Sequence, residues 1–190
     1  MTRWNLVALI SLPALGLLAL GTLALPSRLD VRREAIVHAS PSTIRPLLAD
    51  YRARERWIYW TVSDPEASYR YGGDAEALGS TMRWEGDQVG TATLTLERAD
   101  DRAVVSRMEY EDPLRMVTHD RFTLEPLDDG TTRVTWSNEG DLPFGPARLF
   151  AVFADSIIGP DYARGLERLD ALVQTQAQAR ARAQLQPAAR

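Results

Sequence analysis

The sequence predicts an α+β fold: a curved antiparallel sheet of about seven strands around one long C-terminal helix, preceded by a single N-terminal transmembrane helix. Three observations predict it. Residues 6–25 carry no charge, residues 67–140 alternate with period two between short turn signals, and one long helical pattern follows from about residue 146 to 174. The expected organisation is an anchor at 1–27, one domain at 28–174 and an Ala/Gln/Arg-rich tail at 175–190, expected as frayed helix or disorder.

The stretch Leu6 to Leu25 reads LVALISLPALGLLALGTLAL. A helix of this length rises about 30 Å, the thickness of a bilayer's hydrocarbon core. Trp4 and Arg3 flank one end and Arg28 the other, as suits an interface. The rival reading is a cleaved secretory signal, but the apolar run is long and Thr22-Leu23-Ala24 is a poor cleavage site. Arg28, Arg32 and Arg33 taken alone put the domain in the cytoplasm. A short tail ahead of a signal-like segment puts it outside, and the extracytoplasmic side is the expectation.

Residues 28–39 (RLDVRREAIVHA) read as the first strand. Ser40-Pro41 then starts a helix over Pro41 to Tyr51, with Ile44, Leu47 and Leu48 inward, and a second short helix or turn follows at 52–57. Strands are expected at 67–72, 79–86, 89–99, 102–111, 115–127 and 131–140, broken by Gly72-Gly73, Gly86-Asp87, Asp100-Asp101, Asp112-Pro113 and Asp128-Asp129-Gly130. Alternation picks out one apolar face, including Met82, Trp84, Leu94, Val104, Met108, Tyr110, Phe122, Val134 and Trp136. The last helix carries Leu149, Phe150, Phe153 and Ile157 in one stripe, and Gly159-Pro160 should kink or briefly break it. One helix cannot fill the inside of so large a sheet, so a pocket between them is expected.

Composition excludes several function classes. With 26 acidic against 22 basic residues the chain has no basic stripe for nucleic acid. No cysteine means no disulfide, thiol nucleophile or thiolate metal site, and the absence of lysine removes Schiff-base chemistry. Two histidines make a His-rich zinc site a poor expectation, and no metal or cofactor is expected. HExxH, GxSxG, Walker and GxGxxG patterns do not occur.

The order strand, two short helices, six strands, long helix resembles the helix-grip fold of the START/Bet v 1-like (SRPBCC) superfamily. The segments REAIVHASPSTIRPLL (33–48), TTRVTWSNEGDL (131–142) and SIIGPDYARGLERLDAL (156–172) resemble its bacterial polyketide cyclase/dehydrase and lipid transport branch. The resemblance covers residues 28–173. It implies a hydrophobic cavity but no single reaction, because the superfamily holds lipid carriers, receptors and cyclases. It also implies that Trp57 and Trp60 sit near the pocket mouth, and members with one N-terminal membrane segment are common in this branch.

The expected cavity lining is Trp57, Trp60, Met82, Trp84, Met108, Tyr110, Asp120, Phe122, Trp136, Phe150 and Phe153. For any one aromatic the plainer reading is packed core. Asp120 falls in phase with Phe122 and Leu124, where a carboxylate must be paired or must serve a ligand. Arg52, Arg54 and Arg56 read as a solvated face, or as a contact for anionic head groups. Asp161 reads as structural. The functional expectation is a membrane-anchored binding or transport module for a hydrophobic small molecule or lipid. Its alternatives are a cyclase or dehydratase using Asp120 or Tyr110 as acid/base, and an interaction protein with a filled core. The oligomeric state stays open.

Overall fold

The computed structural model describes residues 25–112 and 114–185, so the expected transmembrane helix lies, but for Leu25, outside the described residues. Among the described residues no helix is long and apolar enough to cross a membrane. The chain runs β1 (Arg28–Val37), α1 (Pro41–Ala49), α2 (Tyr51–Arg54), α3 (Trp60–Ser63), β2 (Ser68–Gly72), β3 (Thr81–Gly86), β4 (Gly90–Ala99), β5 (Ala103–Asp112), β6 (Met116–Pro126), β7 (Thr132–Asp141) and α4 (Pro146–Leu185). The seven strands form one antiparallel sheet in the order β1-β7-β6-β5-β4-β3-β2. Each strand from β2 onward pairs with its neighbour in sequence because short turns permit nothing else. β1 closes the other edge on β7, pairing Arg28 with Asp141 and Val37 with Thr132.

Two elements differ from expectation. The one-turn helix α3 follows the first two short helices, where loop was expected. Helix α4 is continuous through Gly159-Pro160 and on past Gln174 to Leu185. Proline removes a single hydrogen bond there, and packing on β1 carries the helix across. Arg33 of β1 grips Asp155 with both terminal nitrogens, at 2.6 and 3.1 Å, beside Gly159. A Cβ on Gly159 would overlap that guanidinium, so glycine gives Arg33 its passage.

The apolar face found by alternation is the buried face. Met82, Leu94, Val104, Met108, Phe122 and Val134 are fully buried beneath α1, the short helices and α4. The centre is aromatic. Trp136 stacks flat on Tyr162 of α4 at 3.8 Å between ring centres, and packs on Phe122 at 4.9 Å and edge-on to Trp57 at 5.5 Å. Helix α4 comes closest here. A Cβ on Gly165 would lie 2.9 Å from Cζ3 of Trp136.

One charged pair is buried in this core. Arg54, expected on a solvated face, is fully buried. Three residues after the buried Tyr51 and four before Ile58, it faces inward by helical phase. Asp50 caps its turn by accepting from the Arg52 N–H at 2.9 Å. The Arg54 guanidinium donates to Asp120 Oδ2 at 2.8 Å and twice to the Leu48 carbonyl. It lies between the rings of Tyr51 and Phe122. Trp136 Nε1 donates to the other carboxylate oxygen at 2.5 Å. Burial pushes the Asp120 carboxyl pKa up, while Arg54 and Trp136 pull it back. One of its two donors is a permanently charged guanidinium, which a carboxylate complements and a neutral acid does not, so we read the pair as ionised.

Two outcomes follow. Gly165→Ala, which in an exposed helix would gain about 1 kcal/mol, instead destabilises by about 1–3 kcal/mol because the clamped Trp136 ring cannot retreat. Urea unfolding measures it. Arg54→Met strands a buried carboxylate and costs about 3–5 kcal/mol. Adding Asp120→Leu to Arg54→Met restores part of that loss in a double-mutant cycle, and strictly additive losses would contradict the pairing.

Candidate functional site

Helix α4 runs alongside β1, so the strands curling away from it leave space beneath its first half. A cavity of about 350 Å³ lies there. Its walls come from α3 (Trp60, Ser63), Trp84 of β3, the β3–β4 turn (Gln88, Val89), Gly90 of β4, β5 (Tyr110, Asp112), Leu114 and Met116, and α4 (Phe150, Ile157, Ile158, Asp161). That volume stands at the small end of ligand sites, about 300–1,000 Å³.

The β3–β4 wall is fixed by a buried acid. Asp64 Oδ2 accepts from the backbone N–H groups of Gln88 and Val89, at 2.8 and 3.2 Å. A Cβ on Gly86 would lie 2.4 Å from that oxygen, so the turn closes over Asp64 only with glycine there. Trp84 Nε1 donates to the Val89 carbonyl at 3.2 Å, and its ring packs on Trp60 at 5.1 Å. Both rings therefore reach the cavity with their positions set by the hairpin and by α3.

The inner wall has a polar margin. Ser106, Asp120 and Asn138 are in register across β5, β6 and β7. Tyr51 donates its hydroxyl hydrogen to Ser106 at 2.8 Å, and Asn138 Nδ2 donates to the Tyr110 hydroxyl at 3.0 Å. Nearby, Asn138 Oδ1, Thr118 Oγ1 and the Tyr162 hydroxyl are buried without a partner. Burial and, after it, the Asp120 charge push the Tyr110 hydroxyl pKa well up. Tyr110 thus meets the cavity as a neutral phenol able to donate a hydrogen bond. Burial also raises the Asp161 carboxyl, against the pull of Arg164. Among the described residues no group of three or more His, Asp or Glu side chains is placed to hold a metal ion.

The eleven residues expected to line a cavity fall into three groups. Trp60, Trp84, Tyr110 and Phe150 line it. Trp57, Met82, Met108, Asp120, Phe122 and Trp136 are buried elsewhere on the inner face, in closed core rather than at the cavity. Alternation identifies the face a strand turns inward but not how far along it the core is filled. Phe153 is exposed, on the outer side of α4. The cavity also uses Leu114, Met116, Ile157, Ile158, Val89 and Asp161. Met116 is legible from its phase with Thr118, whereas Leu114 sits in a turn without periodic signal, and Val89, expected to open the strand 89–99, is out of phase with Ala92 and Leu94 and lies in the turn before β4. Asn138 continues the phase of Val134 and Trp136.

Solved structures share this architecture at low identity. The Zhui aromatase/cyclase from Streptomyces sp. R1128 superposes with a TM-score of 0.57 at 14% identity, over 79% of this chain and 96% of that one. A protein from Mesorhizobium loti gives 0.56 at 16%, over 77% and 97%. One from Nitrosospira multiformis gives 0.54 at 18%, over 78% and 99%. At these identities the likeness establishes the fold alone. No curated protein sequence matches the chain. Residues 28–174, the whole sheet and the packed part of α4, match the family described as polyketide cyclase / dehydrase and lipid transport, and the chain belongs to that family.

Proposed function

We propose that the protein binds a hydrophobic small molecule or lipid in the cavity beneath α4, and that residues 6–25 tether it to a bilayer with the domain on the extracytoplasmic side. The cavity carries this reading. Its walls are mostly apolar, its rings are held from outside, and its polar side chains are few: Ser63, Gln88, Tyr110, Asp112 and Asp161. That is the pattern of a site that buries a greasy body and orients it with a few hydrogen bonds. Family membership supports the same reading. A tether raises the effective concentration of ligands that dissolve in lipid.

Binding is favoured over catalysis by the state of the titratable groups. Both oxygens of Asp120 are engaged by Arg54 and Trp136, and the carboxylate is not part of the cavity wall. Tyr110 is held neutral and cannot act as a general base. Asp161 touches the cavity but stands beside Arg164. A cyclase or dehydratase needs an acid and a base converging on the reacting carbons; of the titratable groups on this lining, Tyr110 is a neutral phenol, Asp161 stands beside Arg164, and Asp112 lies at the exposed end of β5.

Residues 27–190, which contain every packed contact described above, provide the test. The fluorescent fatty acid cis-parinaric acid should bind with one-to-one stoichiometry, and mass spectrometry of organic extracts should find the same lipid class in repeated preparations. Ile158→Trp projects a ring into the cavity and should reduce cis-parinaric acid affinity at least tenfold while the unfolding midpoint stays close to that of the parent. Absence of both probe binding and extracted lipid would overturn the reading.

A further inference from the structure

Four of the six large apolar side chains in the first turns of α4, residues 146–158, face water, and Phe144 just before the helix does too. Phe144, Leu149, Val152, Phe153 and Ile157 are each between 49% and 58% exposed. Counting from Leu149, the helical members fall at spacings of three, four and eight, which is one face of a helix. The opposite face of the same turns holds Ala147, Phe150, Ala154 and Ile158 against the domain. The charges nearby are largely spoken for. Asp155 is gripped by Arg33, and Arg148 lies over the Phe144 ring at 5.6 Å. Ile157 belongs both to this face and to the cavity wall, so the apolar surface runs into the cavity's rim. Contiguous apolar surface of this kind marks an interaction site.

We infer that this face of α4 lies in the interfacial layer of a lipid bilayer, with the cavity opening towards the lipid. The inference deepens the proposed function and rests on its tether. Three observations select a bilayer over a protein partner. First, the uncharged stretch ends at Leu25, and the Ser27 carbonyl already accepts from the Leu142 N–H at 2.8 Å at the start of the α4 approach. Two residues reach at most about 7 Å, so this end of the domain cannot leave the surface that holds the tether. Second, α4 runs parallel to β1: Arg33 meets Asp155, and further along both elements His38 meets Asp170. The exposed apolar turns are therefore at the tethered end, and the polar end of α4 points away. Third, the charges at that end are mixed, Asp30, Asp112, Glu139 and Asp141 with Arg28, Arg32, Arg115 and Arg148, so no purely basic cluster demands anionic head groups. Insertion by the apolar face of a helix, to a depth of about 5–10 Å, needs none.

The chain has no cysteine, so one introduced thiol gives a unique label. Leu149→Cys and Phe153→Cys replace exposed side chains and should leave the fold intact, and Leu185→Cys at the far end of α4 is the control. The full chain, labelled with bimane, is reconstituted into phosphatidylcholine vesicles. Labels at 149 and 153 should be quenched several-fold more than at 185 by a nitroxide on the upper acyl chain, and several-fold less by aqueous iodide. Adding phosphatidylglycerol should not strengthen the lipid quenching. Labels at 149 and 153 that behave like the one at 185 would overturn the inference. So would protection from iodide without lipid quenching, which marks a protein partner or second copy. Failure of the full chain to float with vesicles sinks the tether and this inference together. Loss of cis-parinaric acid binding with lipid quenching retained sinks the ligand reading alone.

Discussion

The Asp120 carboxylate is the point on which the interior depends. It ties three layers together: Arg54 from the short helices, Trp136 from β7, and through Trp136 the ring of Tyr162 on α4. A buried ion pair adds little net stability, because desolvation consumes most of the Coulomb gain. Its effect is positional. A carboxylate with one donor on each oxygen has few arrangements that satisfy it, and each misplacement of α2 or of the indole leaves a charge or an N–H without a partner. The aromatic cluster around it then packs in one way.

That cluster decides where the cavity can be. Trp57, Phe122, Trp136 and Tyr162 fill the sheet's concave side where Gly165 brings α4 nearest. Towards the N-terminus of α4 the helix stays close to β1, while β3 to β5 curl away beneath Trp60 and Trp84. The gap is open because the four rings anchor the helix at one point and Arg33 anchors it at another. The interior is thus solid around the four rings, and the cavity of about 350 Å³ lies beside them under a helix fixed at two points. A cavity framed in this way survives without ligand, since the elements around it are held by contacts that the cavity does not share.

The fold was legible because period two and short turns are strong signals. Strand limits read from alternation fall within about two residues of those observed, and the face carrying Met82, Trp84, Phe122 and Trp136 is the buried face. The site was legible only in part. Trp84 and Tyr110 line the cavity whereas Trp136 and Phe122, of identical phase, do not, because depth along a strand depends on where α4 crosses. Arg54 was misread for a different reason. In the run Arg52-Ala53-Arg54-Glu55-Arg56, composition suggests solvent, and only the helical spacing from Tyr51 to Ile58 marks one arginine as internal. Asp120 stood out as an acid on an apolar face, but nothing in sequence linked it to a partner 66 residues earlier.

Helix α4 carries two characters along its 40 residues. Its first turns expose Leu149, Val152, Phe153 and Ile157, and its last turns expose glutamines and arginines that include Arg180 and Arg182. Fully burying an apolar side chain of that size is worth about 1.5–3 kcal/mol, and each of these four is about half exposed, so part of that gain stays forfeited as a cost in water. The cost disappears if the same turns meet lipid. The proposed tether emerges beside them, the cavity rim adjoins them at Ile157, and the charged turns lie at the opposite end. One helix would then set the domain's orientation, hold the cavity's wall and place its opening where a hydrophobic ligand is most concentrated.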